Sequence, residues 1–178
     1  MGLQEIGHGC IAIFVLCAVL AFVEATMFPG ERDFHFEADI AFPQRPDTVS
    51  NATLLIVSCA LPLFAVVISL AAFGGLEVAA QRGMSLGATI VLVELLTNIG
   101  KNTASRPRPD FLDRCFPHGS GLDHLPHPSV SVHGIPQSYR PSVCVGDPNV
   151  VAEGLKSWPS GHASLSAAGM TWLALFVG

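Results

Sequence analysis

Apolar residues gather into four long runs, at about 6–28, 51–73, 84–104 and 159–178. Two polar loops, about 29–50 and 105–158, and one short turn around 74–83 separate them. A helix needs roughly 20 predominantly apolar residues to cross ~30 Å of hydrocarbon, so each run is read as a span. The first has an unbroken apolar core from Ile11 to Val23. A cleaved signal peptide is its rival reading, because Val23-Glu24-Ala25 resembles a cleavage site. The residues ahead of the run carry Glu5 and no Lys or Arg, which favours a retained span. The second run holds no charge, and its Pro62 is tolerable where neighbouring helices satisfy the freed carbonyl. Glu94 in the third belongs, at membrane depth, on a bundle interior or a wet cavity. The pattern predicts an all-α, polytopic transmembrane helical bundle filling residues 1–178 as one membrane-embedded domain.

Counting crossings puts the two polar loops on one side. The second is dense in Pro, Gly, Ser and His and reads as irregular chain with short helical turns rather than a separate domain. The overall hydrophobic fraction of 50% is unremarkable, but the charged fraction of 13% is about half the ordinary value, in keeping with membrane burial. No internal repeat, coiled coil or nucleic-acid signature is present, and no retention or lipidation motif names the membrane.

The chemistry begins at Lys101-Asn102-Thr103-Ala104-Ser105-Arg106-Pro107-Arg108-Pro109-Asp110. Residues seven apart fall on nearly one helix face, so Lys101 and Arg108 are placed to converge on one anion. Residues before proline are pushed out of the helical region, so Arg106 and Arg108 are expected on an extended exit with their guanidinium groups free to turn inward. Such a cluster suits a phosphoryl group. Taken alone, it reads equally well as basic residues snorkelling to lipid headgroups. A second motif, Ser157-Trp158-Pro159-Ser160-Gly161-His162, opens the last run. It reads as a cap at Ser157, a proline in the first helical turn, and free backbone N–H groups at a helix start, which bind anions. His162 adds a group that titrates near neutral pH.

Lys101-x6-Arg108-Pro109 and Pro159-Ser160-Gly161-His162 resemble the first two signature motifs of the type 2 phosphatidic acid phosphatase (PAP2) and vanadium haloperoxidase superfamily. The stretch from Arg106 to Cys115 resembles its lipid phosphate phosphatase and diacylglycerol pyrophosphate phosphatase branch. The resemblance implies a six-span bundle, of which this chain would hold four spans, and hydrolysis of lipid phosphomonoesters such as phosphatidic acid without magnesium or another cofactor. It implies that Lys101, Arg108, Ser160 and Gly161 hold the phosphate, that His162 is the general acid, and that the site faces a lumenal or extracellular space. The implied partner is a phosphorylated lipid; an oligomer or pairing with a full-length relative is a further expectation.

The family's third motif, Ser-Arg-x5-His-x3-Asp, carries the nucleophilic histidine, and it is absent from these 178 residues. His35 and Asp39 have the His-x3-Asp spacing without the preceding Ser-Arg. The expectation is therefore a C-terminally incomplete chain that is inactive alone, because an acid and a phosphate cradle without a nucleophile bind rather than turn over. The alternative is a naturally short, non-catalytic phospholipid-binding or regulatory protein.

Cys115 and Cys144 share the second loop, and a disulfide between them would join the two halves of the site if that loop faces an oxidising compartment. His118, His124, His127 and His133 match no common zinc spacing, so no metal site is expected. Asn51-Ala52-Thr53 is a glycosylation sequon that abuts a span. Glu94 is read as lining a polar seam between helices. Of nine basic residues only Arg82 lies on the short-turn side, which by simple charge counting would put the loops in the cytoplasm, against the orientation the resemblance implies.

Overall fold

The computed structural model describes residues 3–121 and 138–177; His124, His127 and His133 lie outside the described residues. Six α-helices follow in order: α1 (Leu3–Thr26), α2 (Asn51–Phe73), α3 (Leu76–Ala104), α4 (Phe111–Cys115), α5 (Pro148–Gly154) and α6 (Gly161–Val177). The contacts divide the chain into two compact units. The first comprises Met1–Thr26, Asp47–Ile99 and Ser160–Gly178, the second Met27–Pro46 and Gly100–Pro159.

The first unit is an all-helical membrane bundle. Ile6–Thr26 in α1, all of α2 and all of α3 are long and apolar enough to cross a membrane, at 21, 23 and 29 residues. α6, expected as a fourth span, has 17 residues. The third helix starts at Leu76 rather than near residue 84, and the turn shrinks to Gly74-Gly75, whose positive φ values of 69° and 85° suit residues without a Cβ. Residues 76–83 combine strong helix formers with Glu77, Gln81 and Arg82, so the backbone stays helical where the apolar pattern lapses. Inside α2 the chain widens into a π-helical turn at Ile56–Ala60, just before Pro62.

That turn is where α6 comes closest. A Cβ on the buried Gly169 would collide with the Ser58 carbonyl and lie 2.6 Å from the Ser58 Cα. Small residues let membrane helices approach backbone to backbone in this way. Gly169→Val is therefore expected to lower the thermal midpoint of the detergent-solubilised chain, by overpacking worth about 1–3 kcal/mol. Polar side chains add cross-links. Thr97 donates to Ser164 at 2.9 Å, and the Trp172 indole donates to Ser85 at 3.1 Å. Asn98 donates to Glu94 at 3.1 Å and to Glu24 at 3.3 Å, which makes Glu94 part of a polar seam joining α1 to α3. Arg82 is held within the unit, donating to Ser69 at 2.8 Å and lying 4.7 Å above the Phe176 ring.

The two polar loops, the second read from sequence as irregular with short helical turns, build the second unit around an aromatic core. Phe34, Phe111, Phe116 and Tyr139 are buried together with Ile40, Val151 and Leu155. Phe34 meets Phe111 edge-on at 5.0 Å and exchanges backbone hydrogen bonds with Tyr139. Cys115 and Cys144 are joined as a disulfide within this core, their Cα atoms 4.5 Å apart. Scattered aromatics in a Pro- and Gly-rich loop carry no periodicity, so nothing local announces a core.

Candidate active site

α3 stops one turn after Lys101 because Ser105 takes a left-handed conformation (φ 43°) and closes the helix end. Its amide donates to the Lys101 carbonyl at 3.0 Å. Its hydroxyl donates to the Asn102 carbonyl at 2.7 Å and accepts from the Gly30 amide at 2.6 Å. Pro107 and Pro109 then hold the exit extended.

This exit is stitched to the end of α5. The Arg108 amide donates to the Gly154 carbonyl at 2.7 Å, and the Ser157 amide to the Arg106 carbonyl at 3.0 Å. Gly154 also packs closely on α4, since a Cβ there would come within 2.9 Å of both the Arg114 and the Phe111 side chains. Gly100, just before Lys101, packs the same way: its Cβ would lie 3.0 Å from the Pro159 ring.

Glu153 on α5 is thereby presented to the basic cluster. Its Oε1 accepts from the Lys156 ammonium at 2.6 Å, and its Oε2 lies 3.6 Å from the Arg108 guanidinium. Burial pushes the Glu153 carboxyl up, but the Lys156 hydrogen bond and the charges of Lys156, Arg108 and Lys101 outweigh it and hold the group below its ordinary value of 4.5. The ion pairs therefore contribute above the ordinary carboxylate range and are lost as pH falls through the lowered value. The contribution to stability is small, because the Glu153 side chain is half exposed. The arrangement has a chemical consequence: the fields of Lys101 and Arg108 act on one and the same oxyanion. Sequence reading missed Glu153, for which the lone signal was an acidic residue three before Lys156. Arg106 instead lines a polar hollow of about 670 Å³ with Arg32, Asp33, His35 and Asp39.

In the first unit, Ser160 rather than Ser157 caps α6, and Pro159 precedes the helix instead of entering its first turn. The Ser160 hydroxyl accepts from the Ala163 amide at 3.3 Å, and its carbonyl from the Ser164 amide at 3.0 Å. Because these two oxygens are the first acceptors, the helix begins at Gly161, whose amide and that of His162 open the positive end of the helix dipole. His162 Nε2 lies 3.0 Å from the Val49 carbonyl. A carbonyl can only accept, so Nε2 carries the proton in this arrangement. Among the described residues, no three His, Cys, Asp or Glu side chains gather as a metal site.

Among curated proteins, the chain is 29% identical over 139 residues to Lipid phosphate phosphatase 2 of Arabidopsis thaliana, covering 78% of this chain and 44% of that protein. It is 36% identical over 94 residues to Probable diacylglycerol pyrophosphate phosphatase 1 of Schizosaccharomyces pombe, covering 53% and 30%. With Phospholipid phosphatase 2 of Bos taurus it shares 29% identity over 185 residues, covering 94% and 59%. The chain spans 41–44% of the length of its Arabidopsis and Dictyostelium relatives of broadest match. No solved structure matches it. The sequence pattern of the PAP2 superfamily matches residues 82–178, a stretch that takes in both basic and helix-start motifs. With more than half of its length so matched, and with three apolar helices of membrane-crossing length, the chain belongs to the PAP2 superfamily.

Proposed function

We propose that this chain is the phosphate-binding portion of a lipid phosphatase that hydrolyses phosphomonoesters such as phosphatidic acid without magnesium. The observation that carries the reading is the Arg108 guanidinium 3.6 Å from the Glu153 carboxylate, an oxyanion held by the same cation that would hold a phosphate oxygen. In this reading Lys101, Arg108, Ser160 and Gly161 are the phosphate ligands that membership of the family implies, donors that meet charge as it develops on the phosphoryl group. His162 then gives its proton to the departing lipid hydroxyl, after Nε2 leaves the Val49 carbonyl. The names of the Arabidopsis and S. pombe relatives support the substrate class.

Attack on phosphorus requires a nucleophile that these 178 residues do not supply, so the chain by itself binds phosphorylated lipid without turning it over. The Cys115–Cys144 disulfide supports a site on the lumenal or extracellular side of the membrane. Flotation of the purified chain with phosphatidic acid vesicles, against phosphatidylcholine vesicles, tests the reading. Arg108→Ala is expected to weaken phosphatidate binding about tenfold or more, since charged hydrogen bonds each contribute roughly 1.5–3 kcal/mol. Equal binding to both vesicle types would sink the substrate class. Phosphate release by this chain alone, abolished in His162→Ala, would overturn the non-catalytic half.

A further inference from the structure

We infer that Glu153 is a displaceable counter-anion of the Lys101 and Arg108 cradle, seated where an incoming phosphate group binds and pushed aside as it enters. The inference deepens the proposal above and rests on its assignment of Lys101 and Arg108 as phosphate ligands.

Glu153 is not a loose surface side chain that happens to lie near a cation. The hydrogen bonds from Arg108 to Gly154 and from Ser157 to Arg106 set its register. Its two oxygens are held unequally. Oε1 has a short bond to Lys156 at 2.6 Å, whereas Oε2 stands off Arg108 at 3.6 Å, beyond hydrogen-bond range. A phosphate oxygen would approach the same guanidinium to roughly 2.7–2.9 Å and could take both of its parallel N–H groups. The carboxylate can therefore yield Arg108 while keeping Lys156.

Charge favours the exchange. Arg108 and Lys156 lie at the Glu153 carboxylate and the charge of Lys101 also acts on it, so positive charge is in excess there. A phosphomonoester near neutral pH carries about −1.5 to −2 and fills that excess. In the unliganded state Glu153 lowers the mutual repulsion of the cations. In the liganded state it repels the phosphate, so it weakens affinity as the condition of keeping the cradle assembled.

The test is titration of the 178-residue chain in detergent with inorganic phosphate, and separately with phosphatidic acid vesicles. Glu153→Gln and Glu153→Ala are both expected to bind about twofold to fivefold tighter than the parent, the range for one partly exposed charge. Glu153→Asp, which keeps the charge, is expected to stay within twofold of the parent. The ratio of Glu153→Gln to parent should persist to about pH 5, because Lys156, Arg108 and Lys101 keep the carboxyl ionised there. A gain with inorganic phosphate alone identifies free phosphate as the ligand; a gain with vesicles identifies the lipid headgroup. If Arg108→Ala removes binding while Glu153→Gln and Glu153→Ala bind no tighter than the parent, the cradle stands and the counter-anion inference fails. If Arg108→Ala changes nothing, the cradle is wrong and the inference falls with it.

Discussion

Arg114→Leu is expected to destabilise the second unit by about 3–5 kcal/mol, the range for stripping one partner from a buried ion pair. Arg114 on α4 donates to Asp110, the residue just before that helix, at 2.7 Å, and the two side chains are 11% and 15% exposed. The pair is already short of partners: among the described residues, Asp110 Oδ1 and Arg114 Nε are buried without a hydrogen bond. Removing the guanidinium leaves a largely buried carboxylate without this counter-charge, next in the chain to the fully buried Phe111. Asp110→Asn placed in the Arg114→Leu background should recover much of the loss, because the penalty comes from the stranded charge. Thermal melting of the detergent-solubilised chain and both variants measures this. A single-variant loss below about 1 kcal/mol would mean that water reaches the pair, as it does at surface pairs.

Loss of the disulfide is the other large effect. Cys115 and Cys144 are 29 residues apart, and closing a loop of that size is worth about 3–4 kcal/mol in the chain-entropy account. Cys115→Ser also places a hydroxyl at a fully buried position of the aromatic core. A fall in the thermal midpoint on adding reductant, absent in a Cys115→Ala, Cys144→Ala chain, is the expected result. An unchanged midpoint would show that the aromatic core holds these segments without the bond. Arg114 and Cys115 are neighbours, so the two losses are not expected to add. Both variants disturb the ground on which α5 carries Glu153, so phosphate affinity should weaken with them while the bundle of α1, α2, α3 and α6 stays helical.

Much of the architecture was legible along the chain. The runs at 6–28 and 51–73 fall on α1 and α2, because twenty apolar residues in sequence leave few alternatives to a membrane helix. The end of α3 at Ala104 was readable from Pro107 and Pro109, which forbid helical geometry just before them. The start of α3 was not, because Glu77, Gln81 and Arg82 break the apolar pattern without breaking the helix. The cap of α6 was misread for a related reason. Ser157 and Ser160 both precede helix-compatible residues, and which hydroxyl meets an amide three residues on is settled by the backbone path around Pro159.

Residue identity and spacing alone determined the class of this protein: an all-α membrane chain of the PAP2 superfamily. Hydropathy and short motifs survive as local signals because each concerns residues within a few turns of one another. Only the tertiary structure decided that the polar loops form a unit with its own aromatic core, that Arg114 is buried against Asp110, and that Glu153 stands against Arg108. Those contacts join residues that are distant in the chain or whose burial depends on distant ones. Pairings of that kind are set by how the chain packs, and no local pattern encodes them.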